Sequence, residues 1–400
     1  MMQVFVWKGT NADGTRHEGE MVAANSSAVL ESLRKQKYRN IEVTQRARGG
    51  WFRSNRVTEQ DVVLFIRQLS VMVNAGLPLT TCFTLVGKGS SKPAIHEASH
   101  RIRTAIELGH SLSNAMAKEP LLFDAFSIQL MRVSEKSGVL QAVLERLANH
   151  KEKNLVLKGK VKSALTYPIA VLGVAFVIFY LLMVKVVPVF ENFYRSMATE
   201  LPLPTRMVVA VSDFTQTWWW AVLLGGVFTF KLFGYCYRKS DYLHYQTDRV
   251  LLLLPLFGEL LRKAAVARFA RSFSTMLAAG TPIIDCLENV AETAGNRVVK
   301  KALETTRTSI INGGTLTDPL EKSALFPPLV TQMMFIGEST GNLDFMLNKL
   351  ANYYDEEVDR AVDGLRALME PLIMIFLGGM IGGIVLGMYL PLLSVAGFAG

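Results

Sequence analysis

Apolar residues follow two different patterns along this chain. From Ile169 to Val184 they run without a break, and Lys185 is the one charge between Pro168 and Val189. A helix needs about 20 apolar residues to cross a hydrocarbon layer of about 30 Å. The stretch 168–189 therefore reads as a membrane span, and the segment carrying Lys158, Lys160 and Lys162 as a polar, basic helix that leads straight into it. A second span fits 217–237. It opens on Trp218-Trp219-Trp220 and closes on Tyr235, Tyr237, Arg238 and Lys239, the residue types of a membrane–water interface, with Lys231 inside it and long enough to snorkel. A third span fits 371–393, and no charged residue follows Pro371. The apolar run Val250 to Phe257 is too short to cross and is predicted to be a buried turn of helix.

Elsewhere the apolar positions are spaced. Phe65, Leu69 and Met72 lie on one face of a helix that Thr58-Glu59-Gln60-Asp61 starts and Ala75-Gly76-Leu77-Pro78 ends. Further helices are predicted near 79–88, 93–108, 111–119, 122–135 and 139–165. Residues 1–45 read as a small αβ unit. Its strands are expected at Val4–Trp7, Glu18–Ala23 and Ile41–Val43, with a helix from Ser26 or Ser27 through Leu33. The Arg- and Gly-rich segment 46–57 reads as a linker.

The helical pattern occurs twice. Phe65, Arg67, Ser70, Met72, Ala75, Gly76 and Pro78 return as Phe269, Arg271, Ser274, Met276, Ala279, Gly280 and Pro282, and Cys82 returns as Cys286 at the same shift. One residue is then dropped. Beyond that point Phe123 matches Phe326, Glu135-x-x-Gly138-x-Leu140 matches Glu338-x-x-Gly341-x-Leu343, and Leu165-x-x-Pro168 matches Leu368-x-x-Pro371. A six-helix unit is thus duplicated, and each copy runs into a span. The predicted fold is mainly α, with two repeated helical-bundle domains (58–167 and 238–370), three transmembrane helices, a connecting loop 190–216, a tail 394–400 and the small αβ unit.

Composition fits this division. Half the residues are hydrophobic and 19% are charged, too apolar for a soluble protein and too charged for spans alone. The net charge of +9 is uneven: residues 1–167 carry 24 Lys and Arg against 14 Asp and Glu, and residues 238–370 carry 15 against 17. The basic residues crowd before the first span and directly after the second, whereas 188–216 holds only Arg195 and Arg206 and the tail holds none. The positive-inside rule then places both repeats and the N-terminus in the cytoplasm, and the loop and C-terminus outside. Nothing at Met1–Lys8 resembles a signal peptide, so the first domain is expected to stay where it is made. The basic excess beside a span points to anionic lipid rather than nucleic acid. Three cysteines, Cys82, Cys236 and Cys286, make no disulfide framework, and the two cytoplasmic ones are expected to be reduced.

Both copies resemble the cytoplasmic domain of the type II secretion system F family, the polytopic inner-membrane platform proteins of bacterial type IV pilus and type II secretion machines. The A-G-x-P turn, the E-x-x-G-x-L turn, the L-x-Y-P approach to the membrane and the order repeat–span–span–repeat–span carry the resemblance over 58–400. The 1–45 unit looks like the family's N-terminal extension. Ser134 departs from the usual glycine before the Glu, which Gly337 keeps in the second copy, so a slightly altered first turn is expected. Leu201-Pro202-Leu203-Pro204-Thr205 and Met388-Tyr389-Leu390-Pro391 look closer to the pilus branch. The resemblance implies a non-enzymatic scaffold. Its partners would be an assembly ATPase, a retraction ATPase, pilins, other inner-membrane pilus proteins and further copies of itself. The secretion branch is the alternative, and a plain membrane anchor is a vaguer one that the duplication disfavours.

Few strings look chemical. His96-Glu97-Ala98-Ser99-His100 fits H-E-x-x-H, which on a helix can hold zinc with Glu97 as general base. A membrane-anchored zinc peptidase follows from that reading. The second copy has Lys300-Lys301-Ala302-Leu303-Glu304 at the matching place, and no further ligand stands out among the other histidines, so a solvated helix is the favoured reading and no cofactor is expected. No P-loop is present: Gly87-Lys88-Gly89 lacks both the earlier glycine and the Ser/Thr. Glu135 and Glu338 sit at helix–helix turns, where a carboxylate suits helix N-terminal amides better than a partner or cation. Gly378, Gly379, Gly382, Gly383 and Gly387 give small-residue spacings in the third span, suited to contact within the chain or between subunits. The residues singled out are the repeat turns (Gly76, Pro78, Glu135, Gly138, Gly280, Pro282, Glu338, Gly341), the Lys158–Lys162 neck with Pro168 and Pro371, and these five glycines.

Overall fold

The computed structural model describes residues 3–10, 16–23, 26, 29–30, 33, 38–45, 57–196, 202–255 and 257–398. The chain divides into two units, Met1–Arg56 and Val57–Gly400. In the first, β1 (Gln3–Thr10), β2 (Arg16–Ala23) and β3 (Arg39–Gln45) form an antiparallel sheet in the order β2-β1-β3, with Val6 opposite Glu20 and Thr44. Val29 and Leu33 are buried against Tyr38, Ile41 and Val43. Half of the expected helix 26–33, and the linker apart from Val57, lie outside the described residues.

The second unit is helical. Thr58 caps α1 (Glu59–Asn74): its hydroxyl accepts from the Asp61 amide at 3.2 Å, and Asp61 accepts from the Thr58 amide at 2.8 Å. This reciprocal arrangement satisfies two amides that a helix start leaves unpaired. There follow α2 (Leu79–Gly89), α3 (Pro93–Glu107), α4 (Leu112–Ala117), α5 (Ala125–Ser137) and α6 (Leu140–Leu181). Helix α6 runs through Pro168 into a π-helical turn, Leu182–Val186, and then α7 (Val187–Ser196). Next come α8 (Leu203–Lys239) and α9 (Asp241–Leu253). The second copy comprises α10 (Phe257–Ala278), α11 (Ile283–Thr293), α12 (Arg297–Ile311), α13 (Thr317–Lys322), α14 (Pro328–Thr340) and α15 (Leu343–Phe398).

Helices α1 to α6 and α10 to α15 correspond one to one, and so do their cores. Phe65 meets Phe123 at 6.0 Å between ring centres, and Phe269 meets Phe326 at 5.2 Å. All four rings are buried in one continuous core. Each buried Phe contributes about 2–3 kcal/mol from the area removed from water. Three helices are long and apolar enough to cross a membrane, within Leu140–Tyr194, Leu203–Tyr237 and Leu343–Pro391. Their apolar side chains, among them Phe176, Phe228 and Ile375, stand exposed, as lipid-facing residues do.

Two expectations change. Much of the stretch expected to be a connecting loop, 190–216, is helix, because α7 continues to Ser196 and α8 already begins at Leu203. The run 250–257 is not a buried turn. Val250–Leu253 is the last turn of α9, with Leu252 buried and Val250 and Leu253 exposed. The helix stops before Pro255, which disfavours helix at the residue ahead of it; Phe257 already begins α10, and Leu256 lies outside the described residues.

Candidate functional site

Each copy folds back on itself at the same two turns. Gly76 and Gly280 hold φ of +80° and +86°, and Gly138 and Gly341 hold +71° and +72°. A side chain strains this left-handed backbone, which explains glycine at all four places. Pro78 and Pro282 follow as caps of α2 and α11, where a missing amide hydrogen is harmless. The first E-x-x-G turn is not altered by Ser134: Gly138 and Gly341 have ψ of 11° and 10°. What differs is the packing beside it. Ser134 is buried and donates to the Met131 carbonyl at 2.8 Å, whereas a Cβ on Gly337 would meet the Leu343 Cα at 2.9 Å.

Glu135 and Glu338 do the same work in the two copies. Glu135 accepts from the Ser113 amide at 3.2 Å and from its hydroxyl at 2.5 Å, at the start of α4. Glu338 accepts from the Leu316 amide at 3.4 Å, at the start of α13. Cys82 and Cys286 are likewise matched: both thiols are buried and donate to the carbonyls of Leu77 and Thr281. Burial raises the Cys82 thiol pKa and pushes that of Cys286 up to about 12.

Repeated acids that the sequence comparison overlooked complete the scaffold. Arg67 forks onto Glu152, and its repeat mate Arg271 pairs with Asp355, each pair tying the first helix of a copy to the last. The exchange of Glu for Asp hid this correspondence.

The neck lysines are already engaged. Lys158 pairs with Glu59, Lys160 lies 2.6 Å from Asp359, Lys151 pairs with Asp124, and Lys153 donates to Asn352 at 3.0 Å; Lys162 is exposed. Lys153 and Lys160 therefore bind α6 to α15. Pro168 is buried and Pro371 is exposed, both inside unbroken helices.

At the far end of the spans, the repeat mates Pro188 and Pro391 each lie 20 residues beyond those prolines. A proline offers no amide hydrogen, so Pro391 leaves the Gly387 carbonyl without its helical donor. Thr205 of α8 donates to that carbonyl, and Tyr194 donates to the next one, Met388. In the π turn the Val187 amide bonds to Leu182 five residues back, so Pro188 leaves the Met183 carbonyl unmet. Ser212 of α8 donates to it at 2.6 Å. One unduplicated helix thus supplies hydroxyls, both fully buried from solvent, to the two proline-orphaned carbonyls. Of the five glycines, Gly387 lies against α8, where a Cβ would come within 2.8 Å of Val208; Gly378, Gly379, Gly382 and Gly383 have open space. Thr205, from the first of the two stretches that resembled the pilus branch, thus serves the carbonyl that Pro391, from the second, has freed; Leu201 lies outside the described residues.

His96, Glu97 and His100 face solvent on α3. The His96 Nδ1 lies 3.1 Å from the Gly87 carbonyl, and Glu97 pairs with Arg101. Among the described residues no group of three His, Cys, Asp or Glu side chains is arranged to hold a metal.

The family model described as type II secretion system (T2SS), protein F, matches twice, at residues 65–188 and 269–391. The model for the N-terminal domain of that protein matches residues 2–44. The chain is 40% identical over 403 residues to the type IV pilus assembly protein PilC of Myxococcus xanthus, covering 98% of this chain and 95% of that one. It is 40% identical to the protein of the same name from Pseudomonas aeruginosa, over 93% of this chain and all of that one. It is 29% identical to the type II secretion system protein F of Vibrio cholerae, over 98% of both. Paired matches, a paired fold and near full-length relatives agree: this membrane protein belongs to the type II secretion system protein F family.

Proposed function

We propose that this chain is an inner-membrane platform of a type IV pilus machine that passes the motion of a cytoplasmic assembly ATPase to pilins in the bilayer. The observation that carries this reading is mechanical. Each helical copy ends in a helix, α6 or α15, that leaves the bundle and continues as a span without a break. A push on either bundle reaches the membrane through a helix about 1.5 Å long per residue, with no flexible joint at the boundary. The charge pattern supports an orientation with the bundles and N-terminus in the cytoplasm and the C-terminus in the periplasm. The Lys158–Lys162 neck then lies at the anionic inner surface. The turns at Gly76–Pro78, Gly138, Gly280–Pro282 and Gly341, with Glu135 and Glu338, act as scaffold that keeps the bundles stiff. A retraction ATPase and other inner-membrane pilus proteins are further partners, and the chain itself is not an enzyme.

The pilus branch is favoured over the secretion branch by the higher identity to PilC-type relatives. The test is an in-frame deletion, scored by electron microscopy for surface fibres and in parallel for secreted enzymes. Lost fibres with secretion intact is the expected result. Lost secretion with fibres intact moves the chain to the secretion branch, and no change in either, with no paralogue present, sinks the platform reading.

A further inference from the structure

Two copies of one fold in one chain can pack symmetrically, so that every contact has its reciprocal, or head to tail. Here they pack head to tail. Helix α6 lies against α10, and α5 against α11. His150 on α6 is buried, stacks on Phe126 at 4.2 Å and lies 2.9 Å from the Ser272 hydroxyl of α10; Arg146 donates to the Ala278 carbonyl. The reciprocal of the histidine contact sets Tyr353 on α15 against Gln68 on α1, and that of the arginine contact sets Lys349 against Asn74. Among the described residues neither pair is made. Tyr353 is 42% exposed where His150 is 5% exposed, and Asn74 is open to solvent.

The interface inside the chain thus leaves two halves unused: the α14/α15 face of the second copy and the α1/α2 face of the first. The α1/α2 half is more apolar than the α10/α11 half it corresponds to: on α1, Leu64 and Val71 stand exposed where α10 has Arg268 and Thr275. On the α14/α15 half, Tyr353 offers an exposed ring where α6 buries His150. Exposed apolar surface of this kind marks a contact site. The membrane permits the arrangement. Helices α6 and α15 run side by side, joined by Lys160 and Asp359, and enter their spans in the same direction. An operation that carries the first copy onto the second therefore keeps every added span pointing into the bilayer.

We propose that a second copy of this chain docks its α1/α2 face on the free α14/α15 face, repeating the pairing already present inside the chain, with Tyr353 opposite Gln68 of the second copy. The proposal does not depend on which machine the protein serves. It is tested in membranes with full-length chains carrying Cys236→Ser, the native Cys82 and Cys286 being buried. Tyr353→Cys in one tagged chain is co-expressed with Gln68→Cys in a differently tagged chain; Lys349→Cys with Asn74→Cys is the second pair. All four single variants are first shown to take up a maleimide dye, and a short bismaleimide is then added. The expected result is a doubly tagged band at twice the monomer mass from each mixed pair, absent when any one variant is expressed alone. A Tyr353→Cys chain that cross-links to itself indicates a symmetric interface and overturns the proposal, and so does the absence of any mixed band from accessible thiols.

Discussion

Replacing Thr205 by valine keeps the shape of the side chain and removes its single hydrogen-bond donor. In the folded protein that donor serves the Gly387 carbonyl, which Pro391 has deprived of its helical partner. Interhelical hydrogen bonds in membrane proteins contribute about 0.6 kcal/mol on average and up to about 1.7 kcal/mol. Thr205 is fully buried, so a value near the middle, about 1 kcal/mol, is expected. That is roughly a fivefold loss in the ratio of folded to unfolded protein. Pro391→Ala supplies the missing amide hydrogen from within α15. In that background Thr205→Val should cost less than in the wild type, by at least about 0.5 kcal/mol, a coupling that a double-mutant cycle resolves. The assay is denaturant-titrated unfolding of the purified full-length chain in mixed micelles, followed by the fluorescence of its five tryptophans, three of which lie on α8 with Thr205. An equal cost of Thr205→Val in both backgrounds refutes the reasoning, because the hydroxyl would then not be standing in for the proline's absent amide.

Other consequences are open to measurement, most of them on the same purified protein and the last on cells. Gly337→Ser should destabilise by about 1–3 kcal/mol through overpacking against the Leu343 backbone, while the mirror change Ser134→Gly in the first copy should cost less than about 1 kcal/mol; a reversed order in thermal unfolding counts against the packing difference. Glu135→Ala should cost about 1–2 kcal/mol and Glu338→Ala about half as much, since the first carboxylate holds both an amide and a hydroxyl and the second one longer contact; equal unfolding midpoints contradict this. Only a thiolate reacts with iodoacetamide, and burial raises both thiols, so Cys82 and Cys286 should stay unlabelled at pH 8 until the protein is denatured; labelling of the native protein, read by mass spectrometry, refutes it. Exchanging Lys158, Lys160 and Lys162 together for glutamine removes the Glu59 and Asp359 pairs, and should reduce surface fibres while the chain remains folded in the membrane; normal piliation defeats the proposed role of the neck.

The repeat was legible because both copies keep residues whose backbone or core position tolerates little else. Glycine at φ near +80° cannot be exchanged cheaply, and Phe65 and Phe269 fill matching places in matching cores. Identity matching failed where chemistry was kept but the residue changed, as between Glu152 and Asp355. It also misjudged 190–216, where a hydropathy profile seeks spans and overlooks helix that is merely less apolar. The glycines of the third span formed one class in the sequence; packing separates Gly387, pressed against Val208, from four that meet nothing.

The sequence by itself determined the membrane spans, the duplication and the sites of the left-handed turns. Each depends on local properties: the length of an apolar run, the recurrence of a pattern, or a backbone angle that only glycine adopts easily. Only the tertiary structure decided which groups meet across distance. It set Thr205 and Ser212 under carbonyls freed by prolines on two other helices, and placed His150 against Ser272 while leaving Tyr353 open. Such pairings depend on how rigid helices pack. A helix period fixes the face on which a residue lies, and says nothing of which other face will cover it.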